Sequence, residues 1–249
     1  MNILQPLLIA LQFLTRLPIR LRDIPSQHML GRSMLYYPLV GLLIGLLLAG
    51  LNALLHNADT LLRAAFLLAA WVLITGALHL DGLADSADAW LGGHGDRERT
   101  LAIMKDPYCG PAGVVALVVV LLIKFAALAT VTSAQNTFAL IAAPIIGRTA
   151  LPLLFLTTTY VRANGLGSAM AAHLPRKSGM IVITATAIAL ISAAGAQGLW
   201  LLLVCAGVFI SLRLLMIKRI GGATGDTAGA LVEIAEATTL VTLALLGVG

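Results

Sequence analysis

The chain has 249 residues, of which 59% are hydrophobic and only 11% charged, and its mean hydropathy is +0.98. A soluble globular domain carries about 25% charged residues, so the composition excludes an ordinary soluble enzyme and points to an integral membrane protein. The net charge of +5 calls for no nucleic-acid partner, because the basic residues sit in loops between apolar runs, where membrane topology places them.

In chain order, residues 2–15 are apolar but short for a crossing, which takes about 20 residues. They read as an interfacial, re-entrant or packing helix. Candidate spans follow at 34–55, 61–80, 112–132, 137–159, 180–196, 198–217 and 228–248. The predicted fold class is all-α: a polytopic membrane helix bundle with about seven transmembrane helices plus a short N-terminal helix. No long polar stretch divides it, so residues 1–249 read as one domain. No cleavable signal peptide is expected, since MNILQPLLIALQFLTRLP lacks a basic start and leads into arginines. Cys109 and Cys205 lie far apart and read as unpaired thiols. Glycine-rich faces leave an oligomer open.

The loops alternate in charge. Arg16, Arg20, Arg22 and Arg32, then Arg97, Arg99 and Lys105, then Arg162, Arg176 and Lys177, then Arg213, Lys218 and Arg219 account for thirteen of the sixteen basic residues. The opposite loops, near 56–60, 133–136 and 197, hold almost none. By the positive-inside rule the first set is cytoplasmic. The expected location is the cell inner membrane, with any site on this side facing the cytoplasm.

The segment ALHLDGLADSADAW, residues 77–90, ends the second span on that side. At about 100° per residue, Asp81, Asp85 and Asp88 fall within an arc of about 60°. Like charges at this spacing repel, and no Lys or Arg lies nearby in sequence. A divalent cation would relieve the repulsion, and Mg²⁺ prefers such oxygen ligands. His79, one turn earlier, reads equally as a ligand, a hydrogen-bond partner or an interfacial residue. A second cluster, GGATGDTAGALVEIAE at 221–236, opens the last span from the same side. Asp226, Gly229, Glu233 and Glu236 share an arc of about 80°, and acids inside an apolar span are functional candidates. Gly221, Gly222, Gly225 and Gly229 permit close approach of a ligand or a helix. If the two acidic faces meet, they form a multi-carboxylate metal site suited to phosphoryl transfer.

Lys124 and Arg148 also lie within apolar spans and are expected to face the interior. Arg148 suits phosphate contact or an internal salt bridge to one of the acids. In the loop GGHGDRERTLAIMKDPYCGP, Arg97 and Arg99 alternate with acids and read as a solvated face. Lys105, beside Asp106, is a candidate for phosphate contact.

HLDGLADSADAW, RERTLAIMKD and GGATGDTAGALVEIAE, with QFLTRLP at 12–18 and NGLG at 164–167, resemble the cobalamin synthase family, whose members are adenosylcobinamide-GDP ribazoletransferases. The resemblance implies adenosylcobinamide-GDP and α-ribazole, or its 5′-phosphate, as partners, alongside the lipid bilayer that holds the chain. It implies adenosylcobalamin, or its 5′-phosphate, and GMP as products, and Mg²⁺ as cofactor. Asp81, Asp85, Asp88 and Asp226 would then hold the metal, and Glu233 and Glu236 would complete a second metal site or orient ligands. An aspartate such as Asp81 or Asp85, or His79, would take the hydroxyl proton. Arg148, Lys105, Asn164, Gly165 and Gly225 would contact substrate. Two other readings are weighed. A CDP-alcohol phosphatidyltransferase would carry Ala where Asp85 stands, followed by Arg. A cation transporter would place its acids near the membrane midplane and not crowded on one face.

Overall fold

The structure is a computed structural model that describes residues 4–21, 24–162 and 166–247. The described residues are helical apart from loops and one isolated parallel bridge, Tyr160 with Ala223. In order they form α1 (Leu4–Leu14), α2 (Gln27–Ser33), a 3-10 turn (Met34–Tyr36) and α3 (Tyr37–Leu54). Next come α4 (Thr60–Thr75), α5 (Leu78–Gly92), α6 (Arg97–Ile103) and α7 (Pro111–Ser133). The rest is α8 (Thr137–Thr157), α9 (Leu166–His173), α10 (Arg176–Ile220) and α11 (Gly225–Leu246). Asp59, Asp96 and Asn136 accept backbone N–H groups that α4, α6 and α8 would otherwise leave unpaired. Thr224 and Thr227 form a reciprocal cap on α11.

Five stretches are long and apolar enough to cross a membrane: Gln27–Leu54, α7, α8, α10 and α11. The α4–α5 pair makes a sixth if its 89° bend lies within one span. The chain is a multi-pass membrane protein. α10 has 45 residues, and straight it would reach about 68 Å, twice the hydrocarbon thickness. It does not run straight. Gly195 has φ 56° and ψ −129°, a conformation open almost only to glycine. A Cβ on Gly198 would stand 2.6 Å from the carbonyl oxygen of Leu190, so the chain doubles back there. Arg176 and Arg213 donate to the adjacent carbonyls of Leu156 (2.9 Å) and Thr157 (2.5 Å), although 37 residues separate them. α10 is therefore an antiparallel hairpin, and its arms match the spans expected at 180–196 and 198–217.

α8 and α11 form the centre, with 72% and 61% of their apolar stretches buried, against 22% for α7 and 17% for α10. The last two expose Val114, Val118, Leu122, Ile181 and Leu199, as lipid-facing helices do. α3 lies close on α8: a Cβ on Gly41 or Gly45 would fall 2.5 Å from Pro144 O or 2.6 Å from Ile141 Cα. Small residues one turn apart allow that approach.

At one end of the bundle Gly76 and Ala77 are both left-handed, with φ 65° and 58°. They turn the chain so that α5 lies across this end instead of continuing through it. The start of α5 packs on the start of α11. Its last turns reach the start of α7, where Asp88 accepts from the N–H groups of Gly110 (2.7 Å) and Gly113 (2.9 Å). The expected second span, 61–80, thus stops at Thr75, and the aspartates belong to a separate crosswise helix.

Candidate active site

The site is built where α5 crosses the first turn of α11. Gly82 makes the crossing possible, since a Cβ there would lie 2.7 Å from the carbonyl oxygen of Asp226. Residues 81 and 226, far apart in sequence, consequently line one cavity of about 240 Å³. Asp85 is one helical turn from Asp81. Its burial, with the Asp81 and Asp226 charges close by, pushes its carboxyl up to about 6.

The bridge beside this crossing brings in a cation. Val161 donates to Ala223 O and Ala223 to Thr159 O, both at 2.9 Å. That pins the α8–α9 connection to the turn before α11. Arg162 then pairs with Asp226 at 2.8 Å and donates to Met104 O at 3.2 Å. Gly225 and Tyr160 line the same cavity. Sequence reading counted Arg162 only as a loop charge and passed over Tyr160. The signal for both was their place in the loop between two spans that end on the acidic side.

The other expected site residues lie elsewhere. Asp88 is taken up by the two amides that open α7, so its role in the structure is that of a helix cap. Glu233 and Glu236 do not reach the aspartates. Lys124 Nζ sits 2.9 Å from Glu233 Oε2 and 2.6 Å from Glu236 Oε2, and 4.2 Å over the Trp71 ring. Arg148, fully buried, pairs with Glu236 Oε1. The two glutamates and two cations thus form an ion cluster inside the bundle. That corrects their expected metal role, and it gives Arg148 the salt bridge that was its alternative reading. Lys105 is exposed just after α6. Asn164 and Gly165 lie outside the described residues. His79 is 4% exposed and lines the cavity, and its Nδ1 has no hydrogen-bond partner among the described residues. Arg97 and Arg99 are exposed, as expected of a solvated face, and Arg97 also donates to Ile220 O at 2.8 Å.

Among the described residues no three His, Cys, Asp or Glu side chains form a ready metal cage. Mg²⁺ does not need one. It is typically held by one or two carboxylates, with water and substrate phosphate completing six oxygens. The donor chemistry of Asp81, Asp85 and Asp226 fits that requirement, and their mutual repulsion favours a bound cation.

The model of the family described as cobalamin-5-phosphate synthase matches residues 6–244. Proteins named adenosylcobinamide-GDP ribazoletransferase are similar along nearly the whole chain. The one from Pseudomonas fluorescens (strain Pf0-1) is 61% identical over 96% of this chain and 99% of its own length. Those from Pseudomonas savastanoi pv. phaseolicola and Stutzerimonas stutzeri are 59% and 57% identical, over 97% and 96% of this chain and 99% and 98% of theirs. No solved structure matches. A family model matched from residue 6 to residue 244, with the acidic crossing of α5 and α11 inside it, leaves one conclusion: the chain belongs to the cobalamin-5-phosphate synthase family.

Proposed function

We propose that the cavity between α5 and α11 joins adenosylcobinamide-GDP to α-ribazole 5′-phosphate, or to α-ribazole, and releases GMP. Family membership makes the chain a transferase of cobalamin biosynthesis and sets aside the phosphatidyltransferase and transporter readings. The family description speaks of a 5-phosphate product, which favours the phosphorylated acceptor. The observation that carries the proposal is the convergence of Asp81, Asp226 and Arg162 at one cavity, with Asp85 close enough to feel the charges of all three.

In this reading the ribose 3′-hydroxyl attacks the phosphorus next to the cobinamide arm. The new P–O bond replaces the bond to the GMP phosphate, and GMP leaves with the bridging oxygen. Asp85 takes the hydroxyl proton on a carboxylate oxygen. A base works best when its pKa lies near the operating pH, and the raised Asp85 carboxyl meets that condition. Arg162 holds the Asp226 carboxylate and offers its remaining N–H groups to phosphate oxygens. Mg²⁺, held by Asp81 and Asp226, would supply charge neutralisation at the pyrophosphate. The apolar walls limit access of water that would hydrolyse the activated donor.

The site opens at the end of the bundle where Arg97, Arg162, Arg176, Arg213 and Arg219 gather, which supports a cytoplasmic face in the cell inner membrane. The test uses purified protein with adenosylcobinamide-GDP, α-ribazole 5′-phosphate and Mg²⁺, reading GMP release and product mass. Asp226→Asn and Asp85→Asn should insert normally and lose at least a hundredfold in kcat. Full activity in both variants rejects the placement of the site.

A further inference from the structure

The same cavity has an apolar side that the transfer chemistry leaves unused. Two aromatic pairs wall it. Phe13 stacks on Tyr37 with centroids 6.4 Å apart, and Phe155 meets Tyr160 edge-on at 5.6 Å. Leu151 and Met170, both buried, complete the lining. On this side the cavity is also lined by His79, which is 4% exposed and whose Nδ1 has no hydrogen-bond partner among the described residues. An imidazole always carries at least one N–H that can be donated.

Size and chemistry select among the reactants. At about 240 Å³ the cavity falls below the roughly 300–1,000 Å³ of sites that enclose drug-sized ligands. A corrin macrocycle cannot enter, whereas a bicyclic base can. Guanine would bring several donors and acceptors along its edge, and most would stay unpaired between these walls, which is costly. The dimethylated benzimidazole of α-ribazole has no N–H and one free ring nitrogen. The His79 imidazole at the wall can thus donate to the one acceptor in the base.

Resting on the proposed transfer, we infer that the aromatic slot between Phe13–Tyr37 and Phe155 is the subsite for the acceptor's benzimidazole, with His79 donating to its free ring nitrogen. His79 is then a specificity residue and not the proton acceptor. The corrinoid and the GMP half stay on the open, loop side of Asp81 and Asp226.

The experiment measures KM for each substrate separately in wild type, His79→Phe, His79→Gln and Phe155→Ala. His79→Phe and Phe155→Ala should raise KM for α-ribazole 5′-phosphate about tenfold or more, with KM for adenosylcobinamide-GDP within twofold of wild type. His79→Gln, which keeps a donor, should recover most of the loss seen in His79→Phe. An active wild type whose variants raise the corrinoid KM instead, lower only kcat, or change neither KM overturns the subsite alone. A wild type that releases no GMP overturns the transfer reading and the subsite with it.

Discussion

Single side chains decide what happens at the crossing of α5 and α11. Gly82→Ala places a methyl group against the backbone of Asp226, which cannot swing aside as a flexible side chain can. Overpacking of this kind costs about 1–3 kcal/mol, and here the strain falls on the distance between Asp81 and Asp226. The expected result is a stable, inserted protein with kcat reduced more than tenfold, read by GMP release. The aspartates also make a metal prediction that needs no turnover. Mg²⁺ alone should raise the unfolding temperature of the wild type in detergent, because it relieves the repulsion felt by Asp85. It should leave an Asp81→Asn, Asp226→Asn double variant unmoved, and an equal rise in that variant removes these residues as metal ligands. The buried cluster behaves differently. Lys124→Met strands Glu233 beside an already occupied Glu236, and breaking a buried pair costs about 3–5 kcal/mol. Thermal unfolding should drop sharply while the Mg²⁺ dependence of the surviving activity stays unchanged. A shifted Mg²⁺ requirement would return the glutamates to the metal site.

At the level of elements, periodicity predicted which residues share a helix face but not how deep along it they lie. Asp226 and Glu233 do share a face of α11, yet seven residues of rise put them about 10 Å apart, and Glu236 lies about 15 Å away. The first acid therefore meets α5 at the bundle end, while the other two meet Lys124 and Arg148 inside. Asp88 left the carboxylate group for a different reason: the start of α7 offered two free amides within reach. The two arms of α10 were legible because apolar runs flank Gly195 on both sides. The crosswise turn of α5 was not, since it rests on left-handed Gly76 and Ala77, and Ala carries no such signal. α6 and α9, with seven and eight residues, are too short for a periodic pattern. The hairpin of α10 gives its own prediction. No atom lies within 4 Å of a Cβ built on Gly195, so Gly195→Ala should cost only backbone strain, roughly 1–3 kcal/mol. Because that turn is at the far end from the site, the unfolding temperature should fall while kcat at low temperature is kept. Loss of kcat at unchanged stability would contradict the hairpin.

Across the whole molecule the loop cations do two jobs at once. They collect at the end that holds the site, as topology requires, and several close helix ends there. Arg97 donates to Ile220 O, Arg219 to Trp90 O, Arg176 to Leu156 O and Arg213 to Thr157 O. Carbonyls at helix C-termini are unpaired and carry partial negative charge, so cations there are favourable. The same residues that orient the chain therefore rigidify the face on which α5 lies. The native cysteines can report that orientation. Cys109 is exposed between α6 and α7 on the site's side, and Cys205 is half-buried within the second arm of α10 beside Thr239. A membrane-impermeant maleimide should label Cys109 in inverted vesicles and leave it untouched in intact spheroplasts, with Cys205 silent in both until the protein is denatured. Labelling of Cys109 from outside the cell would put the aspartates on the wrong face for cytoplasmic nucleotides. The charge argument and the proposed reaction would then fail together, because both require the same end of the bundle to face inward.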